Sequence, residues 1–111
     1  ETPMAHYLIT GSYTSEAWAA QIKDPQNRFE LVKPLFESQG GSIESAYFAF
    51  GDYDIVAIAQ FPDNISAASI AITVAASGGL SNVKTVPLMS IEDGLEALKR
   101  AGGVSYTPAG S

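Results

Sequence analysis

From His6 to Tyr13 the chain alternates with a period of two. Tyr7, Ile9, Gly11 and Tyr13 fall on one side, and His6, Leu8, Thr10 and Ser12 on the other, which predicts a first strand. Thr14 and Ser15 then offer hydroxyls to the orphan N–H groups of a short helix running through Ile22. Asp24-Pro25 breaks that helix and opens another, because proline at a first helical position loses no needed donor. The second helix is expected over Gln26 to Gln39, with Phe29, Val32 and Phe36 as its buried stripe. Pro34 inside it removes a backbone bond and either kinks the helix or marks a late start. Gly40-Gly41 ends it.

The segment from Tyr47 to Ile58 reads as two strands joined by a tight acidic turn, Gly51-Asp52-Tyr53-Asp54. The second strand is predicted over Ser42 to Phe50 and the third over Asp54 to Phe61. Pro62-Asp63-Asn64 closes the third strand and caps an alanine-rich helix over Ile65 to Ser77, with Ile65, Ile70, Ile72 and Val74 as its larger residues. After Gly78-Gly79 a fourth strand is predicted over Val83 to Met89, where Pro87 argues for an edge position or an irregular end. Ser90-Ile91-Glu92-Asp93 resembles a capping box with Asp in place of Glu and opens a terminal helix to about Ala101.

Strand, helix, strand, strand, helix, strand, with one further helix, is an α+β pattern. It predicts a ferredoxin-like βαββαβ fold, an antiparallel four-stranded sheet with helices on one face. The inner strands are apolar on both sides. The third presents Ile55, Ala57, Ala59 and Phe61 one way and Val56, Ile58 and Gln60 the other. The second is read as Ile43, Tyr47 and Ala49 against Ala46, Phe48 and Phe50. Helices can cover only one face, and a chain this short has no second layer for the other. The expected remedy is pairing with itself, as a homodimer or a larger assembly, to form a dimeric α/β barrel.

With 111 residues the chain has the size of one domain, read as residues 4–103 with a tail over 104–111. Glu1-Thr2-Pro3 is read as an added leader ahead of a natural start at Met4. A formal charge of −6 repels phosphate backbones and anionic surfaces, so neither nucleic acid nor a membrane is an expected partner. The absence of cysteine rules out disulfides and thiolate sites, and a single histidine, His6, rules out a multi-histidine metal site in one subunit. No metal and no cofactor is expected. The longest apolar run, Ile70 to Ala76, is too short to span a bilayer, and no secretory pattern opens the chain, so a cytoplasmic location is expected.

Several segments together resemble the GYD-domain family of small bacterial proteins. They are Ser12-Tyr13-Thr14, Gly40-Gly41, Tyr47-Phe48-Ala49-Phe50-Gly51-Asp52-Tyr53-Asp54, the Pro62-Asp63-Asn64 helix start, and the tail Tyr106-Thr107-Pro108-Ala109-Gly110. The resemblance covers nearly the whole chain from Met4. It departs at Pro34 and at Asp24-Pro25-Gln26-Asn27, where the family pattern has a glycine-rich link. Membership implies the dimeric α/β-barrel superfamily, which holds cofactor-free monooxygenases, lactone isomerases, dye- and haem-handling enzymes and ligand-binding regulators. It implies an architecture and leaves the reaction open.

The candidate residues each carry two readings. Asp52, Tyr53 and Asp54 either shape a hairpin, with Asp52 or Asp54 bonding backbone N–H groups, or set two carboxylates and a phenol at a pocket mouth for proton transfer. His6 is the default general base or haem ligand, or else a surface or interface residue. Tyr7, Tyr13, Tyr47 and Tyr53 offer phenols to a ligand but are also ordinary strand residues. Trp18 and Phe36 either line a pocket or pack the core, and Lys23 and Arg28 either anchor an anion near a helix start or are solvated. Glu44, if buried, needs a partner such as Lys84; an end-of-strand place in solvent is the alternative.

No Ser-His-Asp set, P-loop, dinucleotide fingerprint or metal motif occurs. The leading expectation is therefore a homodimeric ligand-binding or stress-associated accessory protein taking a small apolar or aromatic molecule. The alternatives are a cofactor-independent monooxygenase or isomerase using His6, Tyr47 or Asp52–Asp54, and a purely structural subunit. The enzyme reading requires at least two of those residues to share one cavity.

Overall fold

The computed structural model describes residues 4–110; the leader read at residues 1–3 lies outside the described residues. The elements are β1 (Ala5–Tyr13), α1 (Ser15–Lys23), α2 (Arg28–Ser38), β2 (Ser42–Phe48), β3 (Ile55–Phe61), α3 (Asn64–Ala76), β4 (Leu80–Leu88) and α4 (Ile91–Ala101). The sheet order is β2-β3-β1-β4 with every pair antiparallel, the ferredoxin-like arrangement. β4 is an edge strand, so Pro87, opposite Tyr7, withholds no N–H from an inner ladder.

Helix starts follow the side chains available to cap them. Thr14 accepts from Ala17 N–H at 3.2 Å, Asp63 from Ser66 N–H at 2.8 Å and Ser90 from Asp93 N–H at 3.0 Å. α2 differs from expectation: Asn27, not the Asp24-Pro25 break, caps it, accepting from Phe29 N–H at 3.1 Å and Glu30 N–H at 3.2 Å. It passes Pro34 without ending, and the Glu30 carbonyl goes without the N–H that proline lacks. Gly40, at φ 75°, closes it: Gly40 N–H donates to the Glu37 carbonyl and Gly41 N–H to Phe36, a Schellman closure. Gly41 cannot carry a side chain, since a Cβ there would stand 2.5 Å from the Phe61 ring.

Tyr7, Ala59 and Phe61 from the sheet meet Phe36 of α2 and Ala67 and Ile70 of α3 in the core. The Phe61 ring lies 5.8 Å from Tyr7, edge-on, and 5.4 Å from Phe36, so three aromatic rings share one contact. The Tyr7 hydroxyl donates to Asn64 Oδ1 at 2.6 Å, so burying the ring leaves no phenol unpaired. Of the four larger residues of α3, only Ile70 and Val74 turn inward; Ile65 and Ile72 are exposed.

The faces of β2 differ from strict alternation. Ile43 pairs with Ala59 but Ser45 with Ile58, so Glu44 is an extra residue and the register shifts there. Ile43 therefore shares the helix-facing side with Ala46 and Phe48, while Tyr47, opposite Val56, belongs to the other. Glu44 is not buried and has no link with Lys84, which lies on β4 with β3 and β1 between them. A second irregularity, in the β1–β4 pair, falls beside Asn82, whose φ is 51°.

Among the described residues, no helix covers the face carrying Leu8, Val56, Ile58, Tyr47, Val86 and Leu88. α4 also stands apart from the body: none of its side chains is buried, and Ile91, Leu95 and Leu98 form an exposed apolar stripe. The Cα radius of gyration is 17.6 Å, whereas a compact chain of this length has about 13 Å.

Candidate functional site

The end of β1 is held from two sides. On one, Asp54 accepts the Tyr13 N–H on Oδ2 at 2.9 Å and donates its own N–H to the Gly11 carbonyl at 2.8 Å. On the other, Thr14 N–H donates to the Gly79 carbonyl at 3.1 Å. Asp54 thus ties the β2–β3 hairpin end to the neighbouring strand. The grip fixes Tyr13 where α1 departs, and its ring lies 5.0 Å from Trp18, edge-on. Trp18 lies 6.4 Å from Phe48 in a stacked arrangement, closing that end of the molecule with three aromatics.

Behind Tyr13, between the sheet and helices α1, α2 and α3, lies a cavity of about 430 Å³. This falls within the range of small-molecule sites. Its floor is Ile9, Ile55 and Ala57 of the sheet, and its walls include Val32 and Phe36 of α2 and Val74 of α3. The lining is mostly apolar. Arg28, the first residue of α2, and Tyr13 bring the strongest polar groups to it. Burial raises the Tyr13 phenol above its ordinary value of about 10, with the Asp54 carboxylate pushing the same way and the nearby Arg28 guanidinium opposing them. The hydroxyl is therefore a neutral donor throughout the physiological range.

Of the ligand candidates read from the sequence, Tyr13, Arg28 and Phe36 line this cavity. Trp18 backs Tyr13 without lining it, and Lys23 is exposed at the end of α1. The proton-transfer candidates lie elsewhere and apart. His6 and Tyr47 are on the uncovered face, and His6 Nε2 stands 3.8 Å from a Glu44 carboxylate oxygen with both side chains about half exposed. Asp52 and Tyr53 are exposed at the hairpin, and the Asp54 carboxylate is engaged with backbone. None of these five lines the cavity.

Gln21, Thr73 and Ser77 also line the cavity, and the sequence analysis did not single them out. Gln21 had a legible signal, an uncharged polar residue one turn beyond Ala17 on the inner side of α1. Thr73 and Ser77 had none, because apolar residues lie on every side of α3 and its pattern does not say which side faces in. Among the described residues, no group of three or more His, Cys, Asp or Glu side chains could hold a metal ion, and no helix is long and apolar enough to cross a membrane.

This fold, with a two-strand acidic hairpin bolted to β1, defines a ferredoxin-like domain with one bare sheet face. The sequence model of the GYD domain matches residues 7–98, and the chain belongs to the GYD-domain family. Comparison with curated proteins and with solved structures finds no match.

Proposed function

We propose that this GYD-domain protein binds a small, largely apolar molecule in the cavity between its helices and its sheet, and does so as a homodimeric accessory protein. The cavity carries the proposal: a space of about 430 Å³ that opens to solvent yet has apolar walls and few polar groups leaves apolar surface against water that a small apolar molecule would cover. The enzyme alternative gains nothing from the geometry, since His6, Tyr47 and the Asp52–Asp54 group share no cavity.

Pairing with a second copy draws on two unpartnered apolar surfaces of one chain. Four strands paired over about seven residues make a face of roughly 19 by 24 Å, about 450 Å² in projection. A stable dimer buries about 800 Å² per partner, so the sheet face supplies about half. The α4 stripe and the exposed Val104 and Tyr106 of the tail are apolar surface of the kind that supplies the rest. A purely structural subunit would share this interface but leave the cavity without a use.

Native mass spectrometry of the protein as purified, and after mixing with 1-naphthoate and its amide, tests both parts. The expected species has twice the chain mass of 11.7 kDa and gains a discrete ligand mass. A monomer at micromolar concentration contradicts the pairing, and a dimer that takes up no apolar compound contradicts the binding role.

A further inference from the structure

The polar groups around the cavity are not equivalent. Gln21 Nε2 already donates to the Ala17 carbonyl at 3.3 Å, Thr73 Oγ1 to Ser69 at 2.7 Å and Ser77 Oγ to Val74 at 2.6 Å. Each of these satisfies its own helix. The Arg28 guanidinium and the Tyr13 hydroxyl have no such engagement, and no carboxylate among the described residues lies within 4.0 Å of Arg28. Lys23, Lys84 and Lys99 likewise make no ion pair among the described residues, but of these four cations Arg28 is the one that lines the cavity.

The segment before Arg28 holds that arrangement. Asp24, four residues before Arg28, accepts from Gln26 Nε2 at 2.7 Å, so its carboxylate is engaged with an amide. Asn27 accepts from the N–H groups of Phe29 and Glu30, and Glu30 pairs with Lys33 at 3.5 Å. Those two N–H groups are thus already satisfied, and Arg28 of this segment lines the cavity.

Two uncommitted donors, one of them cationic, call for an anionic acceptor. A guanidinium presents paired N–H groups that match the two oxygens of a carboxylate. One cation in apolar walls compensates one negative charge, and a dianion would leave its second charge buried and unpaired. We infer that the cavity takes an apolar molecule bearing a single carboxylate, held by Arg28 and the Tyr13 hydroxyl, with its hydrocarbon body between the helices and the sheet. This rests on the reading of the cavity as a ligand site.

The test compares acids with their uncharged amides by calorimetry on the full chain. 1-Naphthoate is set against 1-naphthamide for an aromatic body, and decanoate against decanamide for an aliphatic one. Expected is a preference of roughly tenfold or more for the acid in at least one pair, and the favoured pair names the body. Arg28→Met should bring that ratio to about one, and Arg28→Lys should keep part of it. Equal binding of acid and amide to the unaltered protein overturns the carboxylate claim and leaves the cavity reading standing. Binding of neither overturns both. An acid preference that survives Arg28→Met in a variant with unchanged circular dichroism also overturns the assignment to Arg28.

Discussion

Asp54 gives the acidic hairpin a mechanical meaning at the scale of single residues. Its carboxylate holds the Tyr13 N–H, half-buried, between two strands. Asp54→Ala leaves that N–H without its acceptor and should destabilise the fold by about 1–3 kcal/mol, read from urea denaturation at fixed protein concentration. Asp54→Asn keeps an acceptor oxygen and should cost much less. Asp63 provides a test in pH. Its bonds with Ser66 at the start of α3 lower its pKa, so the folded state holds its proton less tightly than the unfolded chain. The stabilisation is therefore complete above the ordinary carboxylate value near 4 and is lost as pH falls through the lower, folded value. Asp63→Asn should flatten this part of the acid limb in a series of thermal midpoints, while Asp63→Ala also removes the cap at neutral pH.

Among the elements, what was legible in the sequence was what local chemistry decides. Thr14, Asp63 and Ser90 announce their helices because a side-chain oxygen three residues ahead of an orphan N–H acts without tertiary help. Pro87 announces an edge for a similar reason. The bulge at Glu44 was not legible: a period of two assumes an unbroken register, and one extra residue moves Ile43 to the opposite face. The cavity was legible only in part. Tyr13, Arg28 and Phe36 stand out by type, but which side of α3 faces inward depends on tertiary packing, since apolar residues lie on every side of it. α4 has acids in its first turn and Lys99 and Arg100 in its last, so it suits its own dipole, yet among the described residues none of its side chains is buried and its apolar stripe is exposed. Leu95→Glu together with Leu98→Glu should leave the circular dichroism near that of the parent while shifting the light-scattering mass from dimer towards monomer. A dimer unaffected by both charges would place the interface elsewhere.

On the scale of the whole molecule, the helix layer buries one sheet face around a cavity and leaves the other sheet face bare. Under the function proposed above, the two faces have different work, ligand binding on one and pairing on the other. The strands carry internal controls, because neighbouring residues point to opposite faces: Leu8 and Ile9, or Ile55 and Val56. Methyl-resolved NMR during titration with the better-bound compound of the acid and amide pairs reads the two faces separately. The methyl signals of Ile9, Val32, Ile55 and Leu80 should move together and saturate with one binding constant, while those of Leu8, Val56, Ile58 and Val86 stay in place. Movement confined to the second set, or no saturable movement in the first, would contradict a ligand site between the helices and the sheet.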